Sequence, residues 1–314
     1  MQVGVSPPIL NEPTLLNRTQ AKQSMVIGMF KMIGKTMVFF AILLCISGYS
    51  AEQAGAEDQA QSTLKLYVFD CGMIRFDRID FFSIANDETN VRDLAVPCYV
   101  IEHEKGRLLW DGGLPSATAD TKGWHGKSMQ LRLDRTLTEQ LTDIGLDMTS
   151  FDFMAYSHLH FDHIGVANEV ENATLILQKA EYDAAFAEPP TLPGARPLLF
   201  SKLADAEKIL IEGDYDVFGD GKVKILSAPG HTSGHQVIYV NLSNTGPIVL
   251  SGDLYHFALS RKYRRVPTFN VDAEATLESM DRIEAFLVET GAELWIEHEL
   301  ARFEQLRKAP SHYD

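Results

Sequence analysis

Positions 157–163 read Ser157-His158-Leu159-His160-Phe161-Asp162-His163, so four side chains with metal-binding atoms fall within six residues. Imidazole and carboxylate together suit zinc and other borderline divalent cations. Taken alone, the run reads just as well as a histidine-rich surface loop. A metal site needs more ligands, and three candidates occupy comparable places: His231 after the turn 228–230, Asp253 after the apolar run 248–252, and His298 after 294–297. Any one of these is more often a structural or surface residue than a ligand. Together they complete a set of five histidines and two aspartates. Two cations held roughly 3.5 to 4 Å apart by such a set can share a water, lower its pKa toward neutrality and polarise a carbonyl with the same charges.

The elements that must position this set are legible as apolar runs, because each candidate sits at the end of one. Strand-like runs cover 64–69, 96–102, 107–110, 153–156, 173–178, 223–227, 236–241, 248–251 and 294–296. Helical patterns cover 128–144, 179–187 and 273–290. The last carries an apolar stripe of Leu277, Met280, Ile283, Phe286 and Leu287, with Asp272 as a cap and Gly291 as a stop, and it would place the strand that delivers His298. Hairpins come early and β/α alternation later. That order suggests packed sheets with helices outside, without fixing a topology.

Composition narrows the partners. The 314 residues are 45% hydrophobic and 23% charged, with 28 basic against 43 acidic side chains and a net charge of −15. Short, dispersed apolar runs exclude a multi-span membrane protein and a charge-dominated disordered chain. Without basic tracts, nucleic acid is not an expected partner. Residues 31–56 read as an export signal: Lys31 and Lys35 precede the apolar run 36–47, and small residues lead to Ala54-Gly55-Ala56. The expected division is an N-terminal extension with signal peptide over 1–56 and one domain carrying the candidate ligands over 57–314, the protein being periplasmic or secreted. A membrane contact is expected only if the signal is retained as an anchor, and translation could start at Met25, Met29 or Met32. Without 1–56 the charge becomes −17. Of three cysteines, Cys45 lies in the signal, while Cys71 and Cys98 are as well read as a disulfide as two buried thiols.

The pattern His158-x-His160-x-Asp162-His163, with His231 in Gly230-His231-Thr232-x-Gly234-His235, Asp253 in Ser251-Gly252-Asp253 and the late His298, resembles the metallo-β-lactamase superfamily. Within it, the chain is similar to the N-acyl homoserine lactonases. The resemblance covers nearly all of 57–314. It implies an α/β fold, an αβ/βα sandwich of two mixed sheets flanked by helices. It implies one ion on His158, His160 and His231, another on Asp162, His163 and His298, and Asp253 as the bridge. Asp111 in Trp110-Asp111-Gly112-Gly113 matches a turn that supports such a site without binding metal. An aspartate at 253, where many antibiotic-degrading members carry cysteine, argues against a β-lactamase, and His160 stands where flavodiiron-type members carry glutamate. RNA-processing members need a polyanion-binding surface that this acidic chain does not offer. Glyoxalase II-like thioesterases share the ligands but carry a helical domain after the last one, whereas sixteen residues follow His298 here.

The expected activity is ring opening of N-acyl homoserine lactones by a metal-bridging hydroxide, with two divalent ions, zinc by default. Runners-up are a related hydrolase acting on another lactone, an ester or a thioester, and a metal-binding module without turnover. Asp162, His256 and Tyr255 are the candidates for a part in catalysis. Lactonases of this group usually place a tyrosine three residues after the bridging aspartate, and His256 stands there, with Tyr255 one residue earlier. Histidine can donate to the same oxygen or protonate the leaving alkoxide, and it is the favoured candidate. For an acyl chain, Met73, Ile74, Phe76, Phe81 and Phe82 offer an apolar surface, with Trp124 nearby; cover for a sheet edge reads equally well. His103, His125 and His235 read as structural or surface residues. The basic cluster Arg261, Lys262, Arg264 and Arg265 reads as surface ion pairs before a pocket rim. The expected partner is a small lactone or ester, and a homodimer is left open.

Overall fold

The computed structural model describes residues 64–314, so the expectations for 1–56 lie outside the described residues. Two mixed sheets form the frame. The first runs His125–Gly126, Met129–Arg132, Lys65–Phe76, Asp93–His103, Gly106–Trp110, Phe153–Ala155, Thr174–Gln178 and Lys208–Ile211 in spatial order, with His312–Tyr313 also paired to Lys65–Phe76. The second runs Glu293–Trp295, Gly246–Leu250, Gln236–Leu242, Val223–Ser227 and Tyr215–Asp216. Hairpins make the early pairs antiparallel; the pairs after crossovers, such as Gly106–Trp110 with Phe153–Ala155, are parallel.

Successive strand residues point to opposite faces, which sorts the apolar runs into layers. In Lys65–Phe76, Leu66 and Val68 enter the core shared by the two sheets, beside Ile225, Ile238, Ile248 and Trp295. Tyr67 and Phe69 enter the outer core with Leu137, Leu141 and Leu175. Both faces are covered, so these strands read as near-continuous apolar runs rather than strict alternations. The resulting architecture is the αβ/βα sandwich.

The helix Ala273–Thr290 has the bounds its periodicity predicts, capped by the Asp272 carboxylate on the Ala275 N–H and ended by Gly291 in the left-handed region. Met280, Ile283 and Leu287 bury its stripe on the second sheet. It also braces a loop: Ser279 donates to the Pro229 carbonyl at 2.7 Å, and the Asp272 N–H donates to Gly230 O at 2.9 Å, just before His231.

The expected helix over 128–144 is corrected. Met129, Leu131 and Leu133 alternate with polar neighbours, a period of two, and Met129–Arg132 is a strand paired with Lys65–Phe76. The helix there covers only Leu137–Thr142, started by a capping box of Thr136 and Glu139. Cys71 and Cys98, on adjacent strands, form a disulfide. The basic cluster makes ion pairs: Arg261 with Glu284, Arg264 with Asp281 and Arg265 with Glu88. His103 is buried against Phe218 with Nε2 3.0 Å from Asp220.

Ile283 is fully buried in the layer that seats the His231 loop. Ile283→Ala is expected to lower unfolding free energy by about 2 to 5 kcal/mol in urea titration; a loss below about 1 kcal/mol would show that this helix face is not packed as described.

Candidate metal centre

All seven candidate ligands meet where strands of both sheets end. His158, His160, Asp162 and His163 leave the strand Phe153–Ala155 of the first sheet. His231 follows Val223–Ser227, Asp253 follows Gly246–Leu250 and His298 follows Glu293–Trp295, all in the second. Two of the four groups that form among the described residues contain all seven: ligand atoms of His158, His160, His231 and Asp253 lie within 4.8 Å of one another, and so do those of Asp162, His163 and His298; Asp253, His256 and His298, and Asp111, His163 and Glu297, make the other two.

Asp253 sits between the groups. One carboxylate oxygen, Oδ2, is 3.1 Å from His231 Nε2 and 3.6 Å from His158 Nε2. The other, Oδ1, is 3.2 Å from His163 Nε2 and 2.9 Å from His298 Nε2. Gly252, at φ +45°, makes this placement possible, because a Cβ there would lie 2.7 Å from Ser157 Cβ and 2.8 Å from His235 Nε2.

The outer hydrogen bonds of the imidazoles decide which ring nitrogen faces inward. A carbonyl oxygen only accepts, so His160 Nε2 donates to Pro193 O at 3.1 Å and its Nδ1 faces His158 Nε2 and His231 Nε2 at 2.8 and 3.0 Å. His298 Nδ1 donates to Ala95 O at 2.7 Å, leaving Nε2 inward. His163 Nδ1 donates to Asp111 Oδ2 at 3.0 Å, and Asp111 Oδ1 accepts the Ser157 N–H at 2.6 Å. His231 Nδ1 donates to Asn270 Oδ1 at 3.0 Å. Such outer bonds fix ring orientation in metal sites.

The donor set fits two divalent cations. Hard and borderline donors converge, and among the described residues buried His163 Nε2 and Asp253 Oδ1 have no hydrogen-bond partner. The electrostatics agree. Burial would raise the Asp253 carboxyl, but the imidazoles of His256, His298, His163 and His231 hold it well below the usual carboxylate range. Burial opposes charge on His298, yet the Asp253 carboxylate outweighs it and lifts that ring to about 9. A field that draws protons there draws a metal cation equally. Burial pushes His160 down to about 4, a neutral ring able to ligate.

His256 lies at the same point, with Nε2 3.0 Å from Asp253 Oδ2, its ring stacked 5.5 Å from that of His298 and 4.7 Å from Phe82. Burial pushes it down to about 4 against the pull of Asp253. Tyr255 corrects its expectation as the alternative: its ring packs under the long helix and its hydroxyl donates to Glu284 at 3.1 Å, away from the centre. A cleft of about 290 Å³ opens over the site, lined by Ile74, Phe76, Phe81 and Phe82 together with His160, Asp162, Asp253, His256 and His298. Met73 is corrected, since it faces the intersheet core on the opposite side of its strand from Ile74. Trp124 does not line this cleft and lies instead against Arg75, 4.1 Å from its ring. His235 is structural: Nδ1 donates to Ala228 O and Nε2 accepts the Asp253 N–H, each at 2.9 Å.

Sequence reasoning did not single out Ser157, Asn270, Leu94, Phe269 or Arg196. The last three join the cleft wall, with the Arg196 guanidinium 4.1 Å over the Phe161 ring. Asn270 is 39 residues from His231, and nothing in its local pattern marks it.

Comparison with known proteins identifies the family and the fold. The family model of the metallo-beta-lactamase superfamily matches residues 91–290. The N-acyl homoserine lactonase AttM of Azorhizobium caulinodans is 28% identical over 267 residues, 80% of this chain and 99% of that protein. A structure of an N-acyl homoserine lactone hydrolase, with the product N-hexanoyl-L-homoserine bound at its catalytic metal centre, superposes with a TM-score of 0.66 at 25% identity, over 80% of this chain and 99% of that one. AidC, a dizinc quorum-quenching lactonase, does so with a TM-score of 0.59 at 20% identity, over 81% and 94%.

With Asp253 facing both groups, elemental analysis of zinc-loaded protein should find two ions per chain, and Asp253→Ala should lower the affinity for both. An Asp253→Ala protein that held two ions as tightly as the parent would remove the carboxylate from between them.

Proposed function

This chain belongs to the metallo-beta-lactamase superfamily, and from that membership we propose that it is a dinuclear metallohydrolase that opens the ring of N-acyl homoserine lactones. The observation carrying this reading is the Asp253 carboxylate with one oxygen toward His158 and His231 and the other toward His163 and His298. His158, His160 and His231 would hold one ion, Asp162, His163 and His298 the other, and Asp253 would bridge them. Two zinc ions there would lower the pKa of a shared water so that hydroxide is available near neutral pH, and would polarise the lactone carbonyl.

Ring opening consumes one water: a new C–O bond forms at the carbonyl carbon, the ring C–O bond breaks, the leaving oxygen takes a proton and a carboxylic acid results. The chain's own groups orient this exchange. The polar floor of the cleft suits a lactone ring, and Ile74, Phe76, Phe81 and Phe82 give an acyl chain an apolar wall that excludes water. In this reading the His256 Nε2–H, which lies 3.0 Å from Asp253 Oδ2, would turn to donate to the scissile carbonyl oxygen when substrate is bound. The substrate class is further supported by relatives named as N-acyl homoserine lactonases that match along nearly their whole length. Export to the periplasm or medium is part of the proposal, supported by the Cys71–Cys98 disulfide and the signal-like run 31–56.

Base titration during incubation with homoserine lactones of several acyl lengths tests the reading, with aryl esters and thioesters alongside. Acid release is expected from the lactones. A zinc-loaded protein that cleaves none of them overturns the proposal, and cleavage of a thioester alone reassigns the substrate. His256→Ala should lower kcat by roughly 100-fold while both ions are retained. Loss of an ion in that variant would make His256 a ligand instead.

A further inference from the structure

His158, His160 and His231 face one another from two segments far apart in sequence, and an ion alone need not assemble them. One side chain touches both segments. Glu181, in the first turn of the helix Lys179–Phe186, is fully buried. Its Oε1 accepts the N–H of Leu159, between His158 and His160, at 2.9 Å. Its Oε2 accepts the N–H of Gly234, three residues after His231, also at 2.9 Å. The second segment is pressed against the same helix: a Cβ on Gly234 would come within 2.4 Å of the Glu181 backbone nitrogen.

We propose that Glu181 is a positioning residue that sets the ion site of His158, His160 and His231, and does so separately from the other site. The inference rests on the two-ion reading above. The second group has its own braces, since His163 is held by Asp111 and His298 by the Ala95 carbonyl. Neither brace touches Glu181. A buried carboxylate is costly unless its oxygens are well paired, and here each takes one N–H from a different ligand-bearing segment. Only a side chain that accepts at both ends can do this. Glutamine has the same shape but presents an NH2 to one of the two N–H groups, so one segment loses its anchor.

The test compares zinc retention and thermal unfolding of the parent and Glu181→Gln proteins. Zinc is competed with a chromophoric chelator, and the unfolding is of the metal-free forms. The parent is expected to hold two equivalents tightly. In Glu181→Gln, the affinity of one equivalent should fall about 10- to 100-fold while the other is unchanged. Gly234→Ala, which pushes the turn off Glu181 from the other side, should weaken the same equivalent and keeps the test open if Glu181→Gln does not fold. On a His231→Ala background, Glu181→Gln should not weaken the remaining ion further. Equal weakening of both equivalents in the single variants, or unchanged zinc affinity with only a lowered Tm, overturns the inference and leaves the two-ion reading standing. Fewer than two equivalents in the parent overturns both.

Discussion

The structure depends on one buried carboxylate being held among imidazoles. Asp253 is almost wholly shielded from water, and an ionised carboxylate in such a place is tolerated only with charges and donors around it. Those partners come from both sheets, so neither sheet can supply the centre without the other. The packing of Leu66, Val68 and Tyr99 against Ile225, Ile238 and Trp295 is therefore also what brings the ligand-bearing loop ends into register. The backbone of Asp253 is fixed too, through its N–H on His235, a ring whose other nitrogen is committed to Ala228. His235, in the same motif as the candidate ligand His231, thus seats the carboxylate that faces both groups.

Around that carboxylate, a layer of outer acceptors determines the chemistry of each ring. Pro193 O, Ala95 O, Asp111 and Asn270 each take a proton-bearing outer nitrogen and aim the opposite nitrogen of the ring inward. His160 is the exception in orientation, ligand-facing through Nδ1 where its neighbours use Nε2. Different acceptors placed at different depths achieve a common convergence.

The convergence of the candidate ligands was legible because their types are chemically restricted and they follow apolar runs, as Asp253 does after Gly246–Leu250. The strands and the helix Ala273–Thr290 were legible for the same reason, strong periodicity with a cap and a stop. The outer acceptors were not. Two of them are backbone carbonyls, which any residue supplies, and Asn270 acts from a loop without pattern. The reading of 128–144 as one helix failed because Met129, Leu131 and Leu133 fit a period of two that pairing with Arg75 and its neighbours selects. Met73 and Tyr255 show the commonest ambiguity, whether an apolar residue next to a site faces it: Met73 turns away by strand parity, and Tyr255, just after the 3-10 turn Gly252–Leu254, packs under the long helix.

The segment that carries Pro193 also contributes Gly194 and Arg196 to the cleft. Because the Pro193 carbonyl fixes the orientation of His160, this stretch cannot swing outward without releasing a ring of the centre. In the proposed reading, entry of a bulky acyl tail past Arg196 and retention of a cation by His160 would thereby be mechanically linked: widening the doorway would loosen the hinge pin. Ligand breadth on this side would then be traded against grip on the ion.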